Sequence, residues 1–493
     1  PLYSSAASDV YKRQMKSKVK IKKTVVESLV CLSMILSVSS CAGDGFDEET
    51  FSGGVQGAQL KSPEASEVAF AKLPGTNNVK VTWPVVMGAG GYRFSLYIVD
   101  DPTNPVVVVK DSIIDGSSVV CPYIEDTNYK AEIITLGNEK LNNTASTTPA
   151  EPTWTTLVPA TIVPPGDLTA WFTNNPITTG KDVEVAYELE AGGEYTISGN
   201  LDFGINNVQL RGNKLNHAKV KFTGADGKIL TSGGGLALKF IDFDCDLATT
   251  GIFLGFGDIV PGELETFEAW GITSPIITNP IMIQSCNIKN VRNKFIDING
   301  KSYAVQNLII RDCIVEAYQK VDFINFNKDM AFVKDMEISN STFYSHLQSG
   351  NRFIRHSGAN AQNVPGWSTG SMKFLNNTFY NISYSGQSFN GNGWKKDFNS
   401  VVSKNNIFCD SFNGQFNQRI RVQSTTVAMT FGDNCYWYNG GIPVNETTGR
   451  GEGDKTTTAY NVDPGFANPV EGDFTPSAPE IRAHASGDPR WLN

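Results

Sequence analysis

Six short lines recur between Ile281 and Tyr436 and constrain everything else in the chain. They are Ile281–Ile288, Leu308–Val315, Met336–Phe343, Met372–Phe379, Val402–Phe408 and Thr430–Tyr436. Each is an alternating apolar strand, then a small or amide residue, then a second apolar pair. The pivots are Cys286, Cys313, Ser341, Asn377, Asn406 and Asn434, spaced by 27, 28, 36, 29 and 28 residues. Self-similarity at such a period means stacked units that bury a core only together. The apolar period is 2 rather than 3.6, so the units are strands. A second strand falls midway in each unit, at Phe295–Ile298, Phe323–Phe326 and Phe353–His356. Two or three short strands per turn, each turn stacked about 4.8 Å on the next, make a parallel β-helix coil.

The Leu/Asn signature of leucine-rich repeats is missing, which removes the main rival solenoid. At 493 residues the chain suits two or three units. Charged residues are only 18%, and Gly, Asn, Ser and Thr are plentiful, as in many strands joined by turns. The formal net charge is −9, and −14 without the first 40 residues (34 basic against 48 acidic). Such an acidic chain is a poor nucleic-acid binder. The eight cysteines form no Cys-x-x-Cys pair, which argues against a zinc site. Cys245, Cys286 and Cys313 are expected at the same place in successive turns. There they form an inward stack of small hydrophobes or, alternatively, a disulfide between adjacent coils.

Residues 1–14 resemble a translated adapter sequence rather than a folded segment. Met15 opens a lysine-rich stretch, followed by the apolar run Val25–Val38, which is short for a membrane span. Val38-Ser39-Ser40-Cys41 resembles a bacterial lipobox. The resemblance implies a signal peptide over 15–40, lipidation of Cys41, a membrane anchor and an outer-membrane location facing the cell exterior. The acidic cluster Asp44, Asp47, Glu48 and Glu49 resembles a surface-export signal. Residues 41–62 are expected to be a flexible tether.

Strands and turns alternate from about 63 to 150: Val79–Trp83, Tyr92–Ile98, Val106–Val109, Ser118–Cys121 and Tyr129–Leu136. This is the pattern of a small β-sandwich. It resembles a fibronectin type III domain, with Trp83 as the core Trp and Ile124 with Tyr129 as a tyrosine corner. The Pro- and Thr-rich stretch 151–166 is expected to be a linker.

The coil is expected over 167–445, its first rung at Tyr187–Ile197 and a capping helix near Asp167–Phe172. It resembles pectate-lyase-like right-handed parallel β-helices, so the expected fold is all-β: a right-handed parallel β-helix preceded by a small β-sandwich. Asn377, Asn406 and Asn434 are expected to face inward and bond to their copies one coil away. Residues 251–280, carrying Phe253, Phe256, Phe267 and Trp270, read as one inserted loop. A second insertion carries Trp367. Residues 446–493 are expected to be turns covering the last coil.

Polysaccharide lyases of this architecture use a Lys or Arg base, with calcium or another cation neutralising the uronate carboxylate. The resemblance therefore directs attention to Arg355, His356 and Lys395 as catalytic candidates. Arg352, Trp367, Trp394, Lys396 and Arg421 are the ligand-binding candidates. Strand alternation would put Phe353 and Arg355 on one side unless a bend intervenes. Stacking of Arg355, Lys395 and Arg421 would make a basic stripe suited to an extracellular, acidic polysaccharide. Ordinary solvated residues are the competing interpretation. Asp244 with Asp246, or Asp410 with Asp433, would be the glycosidase-type alternative. A polysaccharide lyase, a non-catalytic glycan binder and an adhesive surface protein all remain open.

Overall fold

The computed structural model describes residues 54–414, 427–440, 454 and 456–492. The chain is all-β and divides into two compact units. The lipobox cysteine Cys41, the signal stretch and Arg421 lie outside the described residues.

The first unit comprises the described part of Pro1–Tyr97 with Val106–Tyr123 and Tyr129–Trp154. A three-stranded antiparallel sheet orders Ala69–Lys72, Asn78–Thr82 and Ser118–Pro122. A four-stranded sheet orders Val106–Ile114, Gly91–Ile98, Asn128–Leu136 and Thr153–Thr155. Alternation decides the core: Asn128–Leu136 buries Tyr129, Ala131 and Ile133 on one face. Trp83 stacks on Phe94 at 5.9 Å, joining the two layers. Tyr129 is buried against Trp154, and the Ile124 side chain is 61% exposed. The tether expectation fails at its described end. Leu60 is buried and donates its N–H to the Thr144 carbonyl, next to an isolated bridge between Gln59 and Thr144.

The second unit is a parallel β-helix. Sheet I runs as ten parallel strands from Ala160–Val163 to Ala428–Gly432, and sheet II as ten from Gly166–Asp167 to Cys435–Trp437. Sheet III runs as seven from Asn200–Asp202 to Gln387–Asn390. The coil begins earlier than the sequence suggested. Ala160–Val163 pairs in register with Ala186–Leu189, so part of the expected linker is the first turn. The helix Leu168–Asn174, capped by Asp167 through the Thr169 N–H, buries Leu168 and Phe172 over that end. Sheet edges and core are thereby closed off.

The corner between sheets I and II explains the repeat. Ser285, Asp312, Asn340, Asn376, Asn405 and Asp433 all adopt φ between +48° and +56°. Asn, Asp and Ser tolerate this left-handed conformation because a short polar side chain can hydrogen-bond locally. The residue after each one turns inward. Cys313 N–H donates to Ser341 Oγ, Ser341 N–H to Asn377 Oδ1, Asn377 N–H to Asn406 Oδ1, and Asn406 N–H to Asn434 Oδ1. Cys286 joins the same column, its carbonyl accepting from Ile314 N–H. Cys245 does not. Its N–H donates to the Lys289 carbonyl at the far end of sheet II, and Ile241 fills the column in its turn. The six described cysteines are free and buried. Aromatic stacks line the core beside the ladder, with Phe343, Phe379, Phe408 and Tyr436 stacked at 5.4–5.5 Å.

Residues 464–492 lie over the outer face of sheet II across several turns. Phe474 packs on Tyr344 and Tyr380, and Trp491 Nε1 donates to Thr342 Oγ1. Ile481 and Ala478 pack on Ile407, Cys409 and Cys435.

Candidate functional site

Sheet III carries a repeated feature that faces outward with polar groups. Four of its turns share a pattern: Phe253-Leu254-Gly255-Phe256, Phe295-Ile296-Asp297-Ile298, Phe323-Ile324-Asn325-Phe326 and Phe353-Ile354-Arg355-His356. The first two residues of each are both buried in the core, because the chain bends from the incoming turn into the strand between them. The third position alone faces out, and the fourth returns inward. Alternation from Phe353 therefore fails: Arg355 faces out and Phe353 does not.

Register stacks the outward positions. Asp297 pairs with Asn325, Asn325 with Arg355, and Arg355 with Asn390. The residue before each phenylalanine makes a second column. Arg352 pairs with Gln387, and the same offset sets Asp322 below Arg352 and Lys294 below Asp322. The result is a grid two residues wide and four turns tall, with a rise of about 4.8 Å per turn.

Hydrogen bonds knit this grid. Asn325 Nδ2 donates to Asp297 Oδ1 at 2.6 Å, and Lys294 Nζ to Asp297 Oδ2 at 3.0 Å. Arg355 Nη1 donates to Asp322 Oδ2 at 2.9 Å, and Arg352 Nη1 to Asp322 Oδ1 at 3.3 Å. The acidic side chains lie underneath, 11% and 8% exposed for Asp297 and Asp322. The basic ones lie above them: Lys294 29%, Arg352 25% and Arg355 33% exposed. Three cations against two carboxylates leave an excess positive charge in the outer layer. It falls at the arginine pair, where one carboxylate serves two guanidiniums. Arg352 Nε and Arg355 Nε are buried and have no acceptor among the described residues.

Several sequence candidates fall elsewhere. The His356 ring points into the core among Phe326, Phe389 and Trp394, and burial pushes its imidazole down to about 3. A neutral ring walled off from solvent cannot act on a groove-bound substrate, so His356 leaves the catalytic set. Trp394 is 6% exposed beside it and belongs to the same core. Trp367 packs on Phe332 beneath the Lys334 amine, in a side cluster off sheet I. The basic stripe does not form as expected. The column partner of Arg355 in the next turn is Asn390, and half-buried Lys395 and exposed Lys396 lie beyond the strand. Asp297, Asn325, Asp322 and Lys294 were not singled out from the sequence. Their signal was the third position of the Phe-Ile repeat, visible only once the bend is known.

Calcium does not fit this grid. Calcium asks for six to eight oxygens, about that range in most sites. Here both carboxylates are already bound by ammonium or guanidinium groups. Among the described residues no group of three or more His, Cys, Asp or Glu side chains is placed to hold a metal ion. The glycosidase-type pairs also have other partners: Asp246 binds Arg292, Asp244 accepts from Asn290, and Asp433 binds His484. A separate open hollow of about 750 Å³ lies on the outer face of sheet II, lined by Lys219, Lys221, Asp242, Asp244 and Lys289.

Three family models match the chain, each described as a domain of unknown function: DUF4992 over residues 15–192, DUF4957 over 193–346 and DUF5123 over 336–491. No curated protein matches it. Among solved structures it is similar to the PL6 family alginate lyase AlyGC, at 15% identity and a TM-score of 0.35, over 67% of this chain and 44% of that one. The chain thus spans less than half of that lyase's length. It is also similar to pectate lyase PelI from Erwinia chrysanthemi, solved with tetragalacturonic acid. There the identity is 11% and the TM-score 0.14, over 82% of this chain and 97% of that one.

Proposed function

We propose that this chain is a surface-anchored lipoprotein whose β-helix engages an acidic extracellular polysaccharide along the outer face of sheet III. The observation that carries this reading is the grid itself. It repeats polar groups at each turn of the coil, as a polymer of sugar units repeats its hydroxyls and acids. Its outer layer carries excess positive charge on an acidic chain, with the Arg352 and Arg355 side chains part-exposed above their shared Asp322 carboxylate. Guanidinium forks suit carboxylate and sulfate oxygens. The lipobox-like segment ending at Cys41 would hold the coil at the outer membrane, and the β-sandwich would space it from the surface.

Lyase chemistry would need a base beside the uronate carbon, and the arginine pair would neutralise the carboxylate. With His356 in the core, Arg355 and Lys395 are the remaining sequence candidates for that base. Incubating the purified chain with alginate, polygalacturonate and a neutral glucan tests the proposal. Retarded migration in acidic-glycan gels, and not in the neutral gel, is the expected result. Appearance of unsaturated ends would add catalysis to binding. Equal migration in all gels would remove the proposal and leave the adhesive reading.

A further inference from the structure

The insertion after Gly257 is not one loose loop. Thr266–Ala269 and Ile272–Ile277 pair antiparallel, with a two-residue turn, Trp270-Gly271, at the tip. Both turn residues have positive φ, +54° for Trp270 and +73° for Gly271. That is the signature of a type I′ turn, whose first position favours Asn, Asp or Gly. A tryptophan there is strained, since its bulky side chain disfavours this conformation. It is also 66% exposed and is the one aromatic among the exposed large hydrophobics of the described residues.

The hairpin has a firm base. Ile276 and Ile277 add to sheet I beside Ala304 and Val305. Phe267 packs edge-on against Phe332 one turn higher. The tip reaches Gly358, where a Cβ would lie 3.6 Å from Trp270 Cη2. Gly358 stands two residues past the strand that carries Arg352 and Arg355. The hairpin thus leaves the coil in the turn of Leu254–Phe256 and climbs along it. It delivers an indole, some 85 residues away in sequence, to the turn of the arginine pair.

We infer that Trp270 is a sugar-stacking platform beside the outer face of sheet III, set to hold the apolar face of a pyranose ring in the turn of the arginine pair. This rests on the polysaccharide reading above and deepens it. An exposed rigid indole offers a flat apolar surface to the axial C–H groups of a sugar, and burial of that surface drives the contact. Strain held at an exposed tip, where Asn would relieve it, has no benefit for folding. A residue retained at a cost to stability points to a binding role.

The test compares wild type, Trp270→Asn, Trp270→Ala and Trp270→Phe in the mature chain, titrated with polygalacturonate and alginate. Binding should weaken by about tenfold in the Asn and Ala variants and stay within about threefold in the Phe variant. The thermal midpoint of Trp270→Asn should equal or exceed that of wild type. Wild-type binding with an unchanged Trp270→Asn variant would overturn the inference and leave the polysaccharide reading standing. No wild-type binding to either polyuronate would overturn both. A lower midpoint with weaker binding in Trp270→Asn would assign the indole a structural role and also overturn the inference.

Discussion

Asn406 Oδ1 accepts hydrogen bonds from both the backbone N–H and the Nδ2 of Asn377, each at 3.0 Å, one coil apart and with both side chains fully buried. Asn406 passes the pattern on. Its own N–H and Nδ2 donate to Asn434 Oδ1, and Nδ2 also reaches the Phe374 carbonyl. One side chain thus satisfies two donors in the turn before it and donates to an acceptor in the turn after it.

Asn406→Ala should therefore cost more than a surface substitution. It orphans the Asn377 N–H inside the core and leaves Asn377 Nδ2 with only the Ile338 carbonyl, and a buried unsatisfied group costs about 1–3 kcal/mol. A fall of about 2–4 kcal/mol in unfolding free energy is expected, read from urea denaturation followed by circular dichroism. A change below about 0.5 kcal/mol would mean that the column is not what holds these turns in register.

Phe379 sits between Phe343 and Phe408 at 5.5 Å from each and is fully buried. Phe379→Ala removes that filling and leaves a cavity. A loss of about 3–5 kcal/mol is expected from the same denaturation measurement. Phe379→Leu should recover most of it.

Burial holds the His356 imidazole at about 3, below its ordinary 6.5. A depressed folded value contributes stability that is present above pH 6.5 and lost as pH falls through about 3. His356→Leu removes two ring nitrogens that have no partner among the described residues. The variant should melt at an equal or higher temperature at neutral pH and lose less stability on acidification than wild type. Thermal melts across that pH range decide it. The same variant should keep glycan binding, because the ring does not face the groove.

Asp488 shifts the opposite way. Its burial raises the carboxyl to about 6 from 3.8, against the lowering influence of Arg490 and Thr342. A raised folded value gives stability that is fully present below pH 3.8 and lost as pH rises through about 6. Asp488 anchors the C-terminal segment to Thr342 and Thr378. Protease release of that segment should be slower near pH 4.5, inside the window between 3.8 and about 6, than at pH 7, above it. Asp488→Asn should remove the difference; an unchanged profile would place the pH dependence elsewhere.

Arg355→Ala should weaken acidic-glycan binding by about tenfold, and added salt should weaken wild-type binding by a similar factor. Arg355→Lys should restore little, because an ammonium cannot reproduce the guanidinium fork held by Asp322. A salt-independent interaction, measured by titration calorimetry, would argue against the arginine pair as the anion contact.

The amino-acid order by itself determined the stacked coil and its polar ladder. Each turn of a solenoid repeats the same apolar–polar–apolar line, so Cys313, Ser341, Asn377, Asn406 and Asn434 align by pattern even across the 36-residue interval between Ser341 and Asn377. The first sheets of the small sandwich were equally legible, because alternation in Asn128–Leu136 is purely local. Where the chain turns a corner, counting fails. The bend within Phe353-Ile354 buries both residues and sends Arg355 outward and His356 inward, which no alternation rule supplies. Cys245 was misplaced for the same reason, one corner away from the column it seemed to join. The tertiary structure alone decided that Asp297, Asn325 and Asp322 stand in a grid with the arginines. It alone lifted Trp270 to their level, since that position depends on hairpin packing against Phe332 and Gly358 rather than on any local preference of the chain.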